Sequence, residues 1–591
     1  MLTKRQRIVL SYPPLAELIK EDQKLRQQCI KNVNEIASTF EKKVIRTVEK
    51  TLDVTLLNLY EGINLEINPP YSYPDLIKEN NVILVPNHQS HADYIALNYI
   101  LFKEFKIVPF IAGGINLNIF PIGKLFRKCG CFFIRRTFHD DQLYKLTLEG
   151  YLYYLLQEGI PIEFFFEGGR SRSGKLLPPR YGLFHMLSTA HSYISKKNRR
   201  PLVFVPVSIM HEYVPEQKTL ARELAGEKKK KESVGQLLKI FQLFKYRMGT
   251  IHLRLGAPIE FSLRHKKNPR EDIQQLAITC FREVASQLMV TPTGLLAMIL
   301  LDTPEGALQF AEIYHQAQRI VSYCLEYKVP LAQGLEEFES LEGKLRTALN
   351  MLIKNSRVEK IGAPHNSHQF YAIKENCRSE LLYFKNSILH HFIVPYLIHA
   401  AWRGLFSGEI KSEKDLAKLI MHLRDQLKFE FYLPTTQKTL IRSLRVISRS
   451  TNKEVKNLKE CMELSHPELM LLAQEVNVFS RSLTYLTENY FIGALTVRRI
   501  SKEGLQKFGR EFFIKKTKET FEIEKSIARV VRHEEGHSLP VIKNSLKYLE
   551  NLKIVHLENN QYTIQHIEAL DKLITRMEKE LIRQVRYQFR M

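Results

Sequence analysis

The sequence predicts an α/β domain with a central mixed sheet, flanked by an N-terminal helical region and a largely helical C-terminal region. Three observations predict it. Residues 14 to about 60 carry helical apolar spacing with few breakers, and from about 76 to 262 short apolar runs alternate with helical stretches. After about residue 285 strands become rare. The expected organisation is an N-terminal helical region at 1–75, an α/β domain at 76–285, a helical region at 286–450 and a C-terminal helical region at 451–591.

Pro69, Pro70 and Pro74 mark the first boundary. The expected strands are 82–85, 107–111, 131–135, 161–166, 202–209 and 251–255, and Pro206 within the fifth suggests an edge or a bulge. The polar insert Glu227 to Ser233, with four consecutive lysines, reads as a solvated loop. Helices are expected over 291–353, 380–407, 411–448 and 454–490, with a polar stretch at 354–378. Near the end, a helix precedes a hairpin turning at Asn559-Asn560, which makes 520–566 a winged-helix-like segment.

At 591 residues the chain suggests two to four domains, and 44% hydrophobic with 25% charged residues excludes a disordered protein. The seven cysteines are scattered, without a Cys-x2-Cys pair, which argues for reduced thiols and against a disulfide framework or a zinc site. The net charge of +24 implies an anionic partner such as nucleic acid, phospholipid, acyl carrier protein or a phosphorylated substrate, without choosing among them. Pro13, Pro14, Glu17 and Lys20 interrupt any signal-peptide core, and no run of 18 or more apolar residues suggests a spanning helix. A soluble or peripheral protein on the reducing side of a membrane is the expectation.

Four stretches carry the chemistry. The first is Val-Ile-Leu-Val-Pro-Asn-His-Gln-Ser-His-Ala-Asp at 82–93, in which a buried strand gives way to helical spacing from Tyr94. Residues five apart on a straight helix are rotated by roughly 140° at about 3.6 residues per turn and cannot meet. Across a strand-to-helix turn they can. With Ser90 as the expected N-cap, Asp93 sits in the first turn, ionised, and accepts from His88. A carboxylate on one imidazole nitrogen fixes the tautomer and orients the other nitrogen as a base for acyl transfer. The alternative is that Asp93 only completes a Ser-x-x-Asp capping box and His88 is a loop residue. A second His-x4-Asp, His566 to Asp571, lies in a helical pattern and reads as chance.

The second stretch, Gly130 to Thr137, is an apolar strand ending in Arg135 and Arg136, suited to bidentate phosphate recognition or simply flanking a core strand. The third, Glu163-Phe-Phe-Phe-Glu-Gly-Gly-Arg-Ser-Arg-Ser-Gly-Lys175, gathers Glu167, Gly168, Arg170, Ser171, Arg172 and Lys175. Its glycines allow close backbone approach to an anion that the cations would neutralise; a solvated basic turn is the alternative. It is not a Walker loop. The fourth, Val203-Phe-Val-Pro-Val-Ser-Ile209, is by itself an interrupted strand.

Taken in order, His-Gln-Ser-His-Ala-Asp at 88–93, Phe-Phe-Ile-Arg-Arg at 132–136, Phe-Glu-Gly-Gly-Arg-Ser-Arg-Ser-Gly-Lys at 166–175 and Val-Pro-Val-Ser at 205–208 resemble the four blocks of the glycerolipid acyltransferases. Within them the chain most resembles the glycerol-3-phosphate and dihydroxyacetone-phosphate branch, and the bacterial glycerol-3-phosphate acyltransferases in particular. The resemblance covers about 80–400 and includes Glu223-Leu-Ala-Gly, Lys230-Lys-Glu-Ser233 and Tyr383-Phe-Lys-Asn-Ser-Ile-Leu-His390. It implies an acyltransferase domain that acylates the 1-hydroxyl of glycerol 3-phosphate from acyl-CoA or acyl carrier protein, giving lysophosphatidate at the first step of phospholipid synthesis.

In that reading His88, oriented by Asp93, is the base. Arg136 and Arg170 hold the phosphate, with Arg135, Arg172, Ser171 or Lys175 assisting. Glu167 organises the cationic loop, backbone N–H groups near Gly168 or Gly169 stabilise the oxyanion, and Pro206 positions substrate. No metal or cofactor is implied. Val108 to Phe126 is the candidate acyl-chain lining, with 291–301 or 387–406 as membrane-contacting surface or ordinary core helix. Attachment to an anionic membrane surface, on the cytoplasmic face of the inner membrane, is expected. A dihydroxyacetone-phosphate or lysophosphatidate acyltransferase is the near alternative, and a basic nucleic-acid-binding protein the different-class one.

Overall fold

The computed structural model describes residues 2–137, 140–227, 248–262, 269–303, 306–362, 369–374, 376–530 and 536–587. Beyond Glu227, the lysine-rich insert lies outside the described residues. The chain forms two compact units: residues 1–171, 176–216 and 229–291 make the first, and 172–175, 217–228 and 292–591 the second.

The first unit is built on an eight-stranded sheet among the described residues. Its strands are β1 (Gly62–Ile67), β2 (Asn81–Pro86), β3 (Phe110–Gly114), β4 (Phe132–Ile134), β5 (Ile162–Glu163), β6 (Leu202–His211), β7 (Thr250–Leu255) and β8 (Ile259–Glu260). The order is β1-β7-β6-β2-β5-β3-β4, with β8 beside β6. The five strands from β6 to β4 are parallel, whereas β7 and β8 run antiparallel to β6 and β1 runs parallel to β7. The sheet is therefore mixed. Strands covered on both faces read as unbroken apolar runs, and every residue of β2 and β6 is buried.

Each of the six expected apolar runs contains or overlaps a strand. The strands β1 and β8 are additional. Pro206 sits inside β6 rather than at an edge or a break, opposite Val85 of β2. It is accommodated because β6 changes partners there: Val203 and Phe204 pair with β8, and Val207 to His211 pair with β7. A residue without an N–H is tolerated between two such pairings.

The N-terminal helices do not stand apart from the sheet. Lys4–Leu10 and Gln23–Ile36 pack on the helix Gln142–Gln157, and Val9, Tyr12, Leu15, Cys29 and Val33 enter one core with Tyr144, Leu148, Tyr151 and Leu152. Gly150 permits the approach, since a Cβ there would stand 3.0 Å from the carbonyl oxygen of Val9.

The second unit is mostly helical but, among the described residues, contains two three-stranded antiparallel sheets of the same design. In one, the helix Pro292–Asp302 is followed by β9 (Ala307–Gln309), the helices Phe310–Glu326 and Phe338–Lys354, then β10 (Val358–Ile361) and β11 (Phe370–Ile373). In the other, Thr484–Lys502 is followed by β12 (Lys507–Gly509), Arg510–Ser526, Leu539–Asn551, β13 (Val555–Glu558) and β14 (Gln561–Ile564). Both sheets place the third strand between the first and second. The expected hairpin is present, with Asn559 and Asn560 at positive φ, as a two-residue primed turn requires. The winged-helix order thus starts at residue 484, earlier than expected, and occurs twice.

The helix Pro292–Asp302 is buried from Pro292 to Leu301, and no residue of 387–406 is exposed. Both are core helices, which removes them as membrane-contacting surfaces. Among the described residues no helix is long and apolar enough to cross a membrane.

Candidate active site

Because the five central strands are parallel, their carboxyl ends lie along one edge of the sheet. Chain leaving β2 supplies His88, that leaving β4 supplies Arg135 and Arg136, that leaving β5 supplies Glu167 and Arg170, and the end of β6 supplies His211 and Glu216. Ligands of open α/β sheets bind at this edge.

The first block forms a tight turn. The helix Asp93–Phe105 begins at Asp93 itself, with Ala92 rather than Ser90 as its N-cap. The Asp93 side chain therefore folds back over the turn. Its Oδ2 accepts from the backbone N–H groups of Gln89 (2.6 Å) and Ser90 (2.9 Å), and lies 2.8 Å from His88 Nδ1. Its Oδ1 lies 2.6 Å from Nε2 of His211, on β6. Asp93 is fully buried. Burial alone would raise its carboxyl, but the hydrogen bonds from His211 and His88 outweigh it and hold the group well below the usual carboxylate range. An anionic Asp93 requires the proton on His88 Nδ1, which leaves Nε2 as the base. The His88 ring stacks on Phe165 at 4.1 Å between centroids and keeps partial exposure, at 13% of its side chain.

The glycine-rich block is tied to this turn through the backbone. Glu167 is buried, and its two oxygens accept from the N–H groups of His88 (2.7 Å) and Leu177 (2.9 Å). Burial pushes the Glu167 carboxyl up to about 8, against the pull of those two bonds. Ser171 N–H donates to the His88 carbonyl at 2.8 Å. Arg170 is thereby placed next to the His88 turn. Gly168 has φ +69°, the left-handed region that favours glycine, and its N–H closes a turn onto the Phe165 carbonyl at 3.0 Å. That N–H is committed, so of the two expected oxyanion donors Gly169 is left.

Glu216 joins Arg170 to the first block. It accepts from Ser90 Oγ (3.0 Å) and His91 N–H (3.1 Å), and its Oε1 stands 3.5 Å from Arg170 Nη1. Ser90 is thus a link to β6 instead of a cap. Asn87 makes the same connection below the turn, donating to the Ile209 carbonyl (3.0 Å) and accepting from Ile209 N–H (2.7 Å).

The other expected cations are placed differently. Arg136 is exposed at the end of β4 and donates to Asn116 Oδ1 at 3.3 Å. Arg135 is engaged in structure: it grips Glu35 with two bonds (2.7 and 2.6 Å), pairs with Asp141 at 3.0 Å and lies over the Tyr144 ring. Arg172 and Lys175 belong to the second unit. There Arg172 pairs with Glu223 at 2.6 Å, and the buried Lys175 bonds Glu430 and lies over the Phe431 ring. Gly174 explains part of this anchoring, because a Cβ on it would meet the Tyr383 carbonyl oxygen at 2.0 Å. Each of Arg135, Arg172 and Lys175 is therefore held by a carboxylate. Pro206 lies within β6, opposite Val85, the penultimate residue of β2.

Residues missed by sequence reasoning are His211 and Glu216. The available signal is a polar residue closing a long apolar strand, just beyond the expected run 202–209. Of the stretches expected to line the acyl chain or contact a membrane, Val108 to Phe126 alone carries large exposed apolar side chains, Phe120 at 71% and Leu125 at 43%.

A family model described as glycerol-3-phosphate acyltransferase C-terminal region matches residues 220–558, and one described as acyltransferase matches 69–210. Similar proteins include the glycerol-3-phosphate acyltransferase of Pseudomonas putida (strain W619), 32% identical over 69% of this chain and 50% of its own length. That of Pseudomonas aeruginosa (strain LESB58) is 32% identical over 68% of this chain and 49% of its own length. The chain spans about half the length of the curated relatives it matches. A crystal structure of the 1-acyl-sn-glycerophosphate acyltransferase PlsC from Thermotoga maritima is 16% identical with a TM-score of 0.26, over 48% of this chain and 97% of that one, too distant to bear on activity. With its sheet, its four ordered blocks and a family model spanning more than half its residues, the chain belongs to the glycerol-3-phosphate acyltransferase family.

Proposed function

We propose that this protein transfers a fatty acyl group from a thioester, acyl-CoA or acyl carrier protein, to the sn-1 hydroxyl of glycerol 3-phosphate, releasing lysophosphatidate and free thiol. The observation that supports it most is the direct backbone coupling of the His88–Asp93 pair to the Arg170 loop. The candidate base and the Arg170 segment are then held by one hydrogen-bonded turn.

His88 Nε2 takes the proton of the attacking hydroxyl as its oxygen bonds to the thioester carbonyl carbon. The resulting imidazolium is stabilised by Asp93 and returns the proton to the departing sulfur as the C–S bond breaks. The Gly169 N–H is the candidate donor to the tetrahedral oxyanion. Arg170 and Arg136 bind the phosphate and so place the hydroxyl, and this orientation supplies much of the remaining rate enhancement. As written, the reaction uses no metal or cofactor. Phe120 and Leu125, with Lys124 over the Phe120 ring, suit an anionic membrane surface on the cytoplasmic face, where the acyl product would be delivered.

The test is thiol release from palmitoyl-CoA with glycerol 3-phosphate, dihydroxyacetone phosphate or lysophosphatidate as acceptor. Glycerol 3-phosphate is expected to be the best acceptor by at least about tenfold in kcat/KM, a gap of about 1.4 kcal/mol. Preference for either other acceptor, or no release with any, contradicts the proposal.

A further inference from the structure

The acid of the catalytic pair does not face one imidazole but two. The donors around Asp93 divide cleanly: His88 and two backbone N–H groups converge on Oδ2, and Oδ1 receives His211 Nε2 at 2.6 Å. The His211 side chain is fully buried, and its Nδ1 is buried with no hydrogen-bond partner among the described residues. A proton on Nδ1 would be an unsatisfied buried N–H, so the geometry favours the ring N–H on Nε2, where it donates to Asp93.

His211 lies on β6, where it opposes Ile251 of β7, and β6 is fastened to the end of β2 by the two Asn87–Ile209 bonds. Its position is therefore set by the sheet and not by a loop. Without it, Oδ1 would be a fully buried carboxylate oxygen lacking its donor. The carboxylate would then gain by rotating to share the Oδ2 donors between both oxygens, and His88 would lose its fixed partner.

Resting on the transfer reaction proposed above, we infer that His211 is a positioning residue. It pins Asp93 so that one oxygen faces His88 Nδ1, and it acts on the reaction through Asp93 without touching substrate. Its requirement is for an N–H at the Nε2 position and not for a titrating ring. Glutamine can place an amide nitrogen near that point, and leucine fills similar space with no donor.

Thiol release from palmitoyl-CoA is measured with glycerol 3-phosphate for the wild-type chain, His211→Leu and His211→Gln, each checked for an unchanged thermal transition. His211→Leu is expected to lose about 10- to 100-fold in kcat, the scale seen when the outer partner of an oriented imidazole is removed. The KM for glycerol 3-phosphate should stay within about twofold, and His211→Gln should regain most of kcat. Wild-type kcat in His211→Leu overturns the inference, and so does an equal loss in both variants. If His211→Leu does not fold, His211→Asn replaces it; its amide stops one bond short of Asp93, so the low kcat is again expected and full activity again overturns the inference. The His88 tautomer, read by ¹⁵N NMR on histidine-labelled protein, needs no turnover. Nδ1–H is expected in the wild type and His211→Gln, and a mixture in His211→Leu. Loss of transfer in the wild type with this tautomer pattern intact sinks the proposed reaction and leaves the role of His211 standing. An unchanged tautomer in His211→Leu sinks the role itself.

Discussion

Two segments of this chain contain the same spacing, His-x4-Asp, and only one of them makes a pair. In the first, His88 precedes a helix that begins at Asp93, and the two side chains meet at 2.8 Å. In the second, His566 is the N-cap of the helix Ile567–Arg586, so Asp571 lies inside the helix, where it pairs with Arg498 at 2.7 Å. The difference lies in where the helix starts. When the turn falls between the two residues the backbone can fold them together. When the helix already includes the intervening residues, its pitch points them apart.

Removing each histidine is the strongest way to break this comparison. His88→Ala should lower thiol release by about 10² to 10⁴-fold, the range supplied by positioned proton transfer, with the thermal transition nearly unchanged. His566→Ala, at an exposed position, should leave release unchanged. Equal effects in the two assays would mean that the shared spacing, and not the turn, had been misread.

The cations sharpen the same point. Arg170→Ala and Arg136→Ala should each raise the KM for glycerol 3-phosphate by roughly 10- to 100-fold, as expected for a lost bond to a charged group. Arg135→Ala should leave that KM within about twofold. Its partially exposed pairs with Glu35 and Asp141 are screened, so the loss in stability should be about 1 kcal/mol or less by denaturant titration. A raised KM for the thioester alone in Arg136→Ala would remove that residue from the phosphate site.

A third contrast is between buried carboxyls. Asp93 has donors on both oxygens and stays ionised, whereas Glu163 accepts from Asn98 on one oxygen and, among the described residues, has no partner on the other. Burial pushes Glu163 up to about 8, with the nearby Asp93 charge adding to the effect. The folded state holds this proton more tightly than the unfolded chain does. Its contribution to stability is thus fully present below about pH 4.5 and is lost as pH rises through about 8. Glu163→Gln should match the wild-type melting temperature near pH 4 and exceed it near pH 9. The smallest effect belongs to Asp571→Asn, which loses one partly exposed ion pair, below about 1 kcal/mol, with unaltered activity.

Much of the first unit was legible in the sequence, because strands buried on both faces announce themselves as apolar runs and the parallel arrangement then collects their carboxyl ends. The His88 turn and the Glu167 loop were legible for the same reason. What escaped was set by partners far away in the chain. Arg135 looks like a phosphate ligand until Glu35 is folded against it, 100 residues distant. Lys175 looks like part of an anion loop until Glu430, 255 residues on, neutralises it. His211 escaped because a histidine closing an apolar strand acquires meaning only once β6 lies beside β2. The repeated winged-helix order in the second unit escaped because its short strands β9 and β12 hold three residues each, too few to show a period of two.

The central claim is a division of labour, with proton transfer at His88 and phosphate binding at Arg170. Calorimetric titration of glycerol 3-phosphate into the wild-type chain, His88→Ala and Arg170→Ala tests it without turnover. His88→Ala is expected to bind within about twofold of wild type and Arg170→Ala at least about tenfold more weakly, consistent with a lost charge-assisted bond. Binding weakened equally by both substitutions, or by His88→Ala alone, would contradict it.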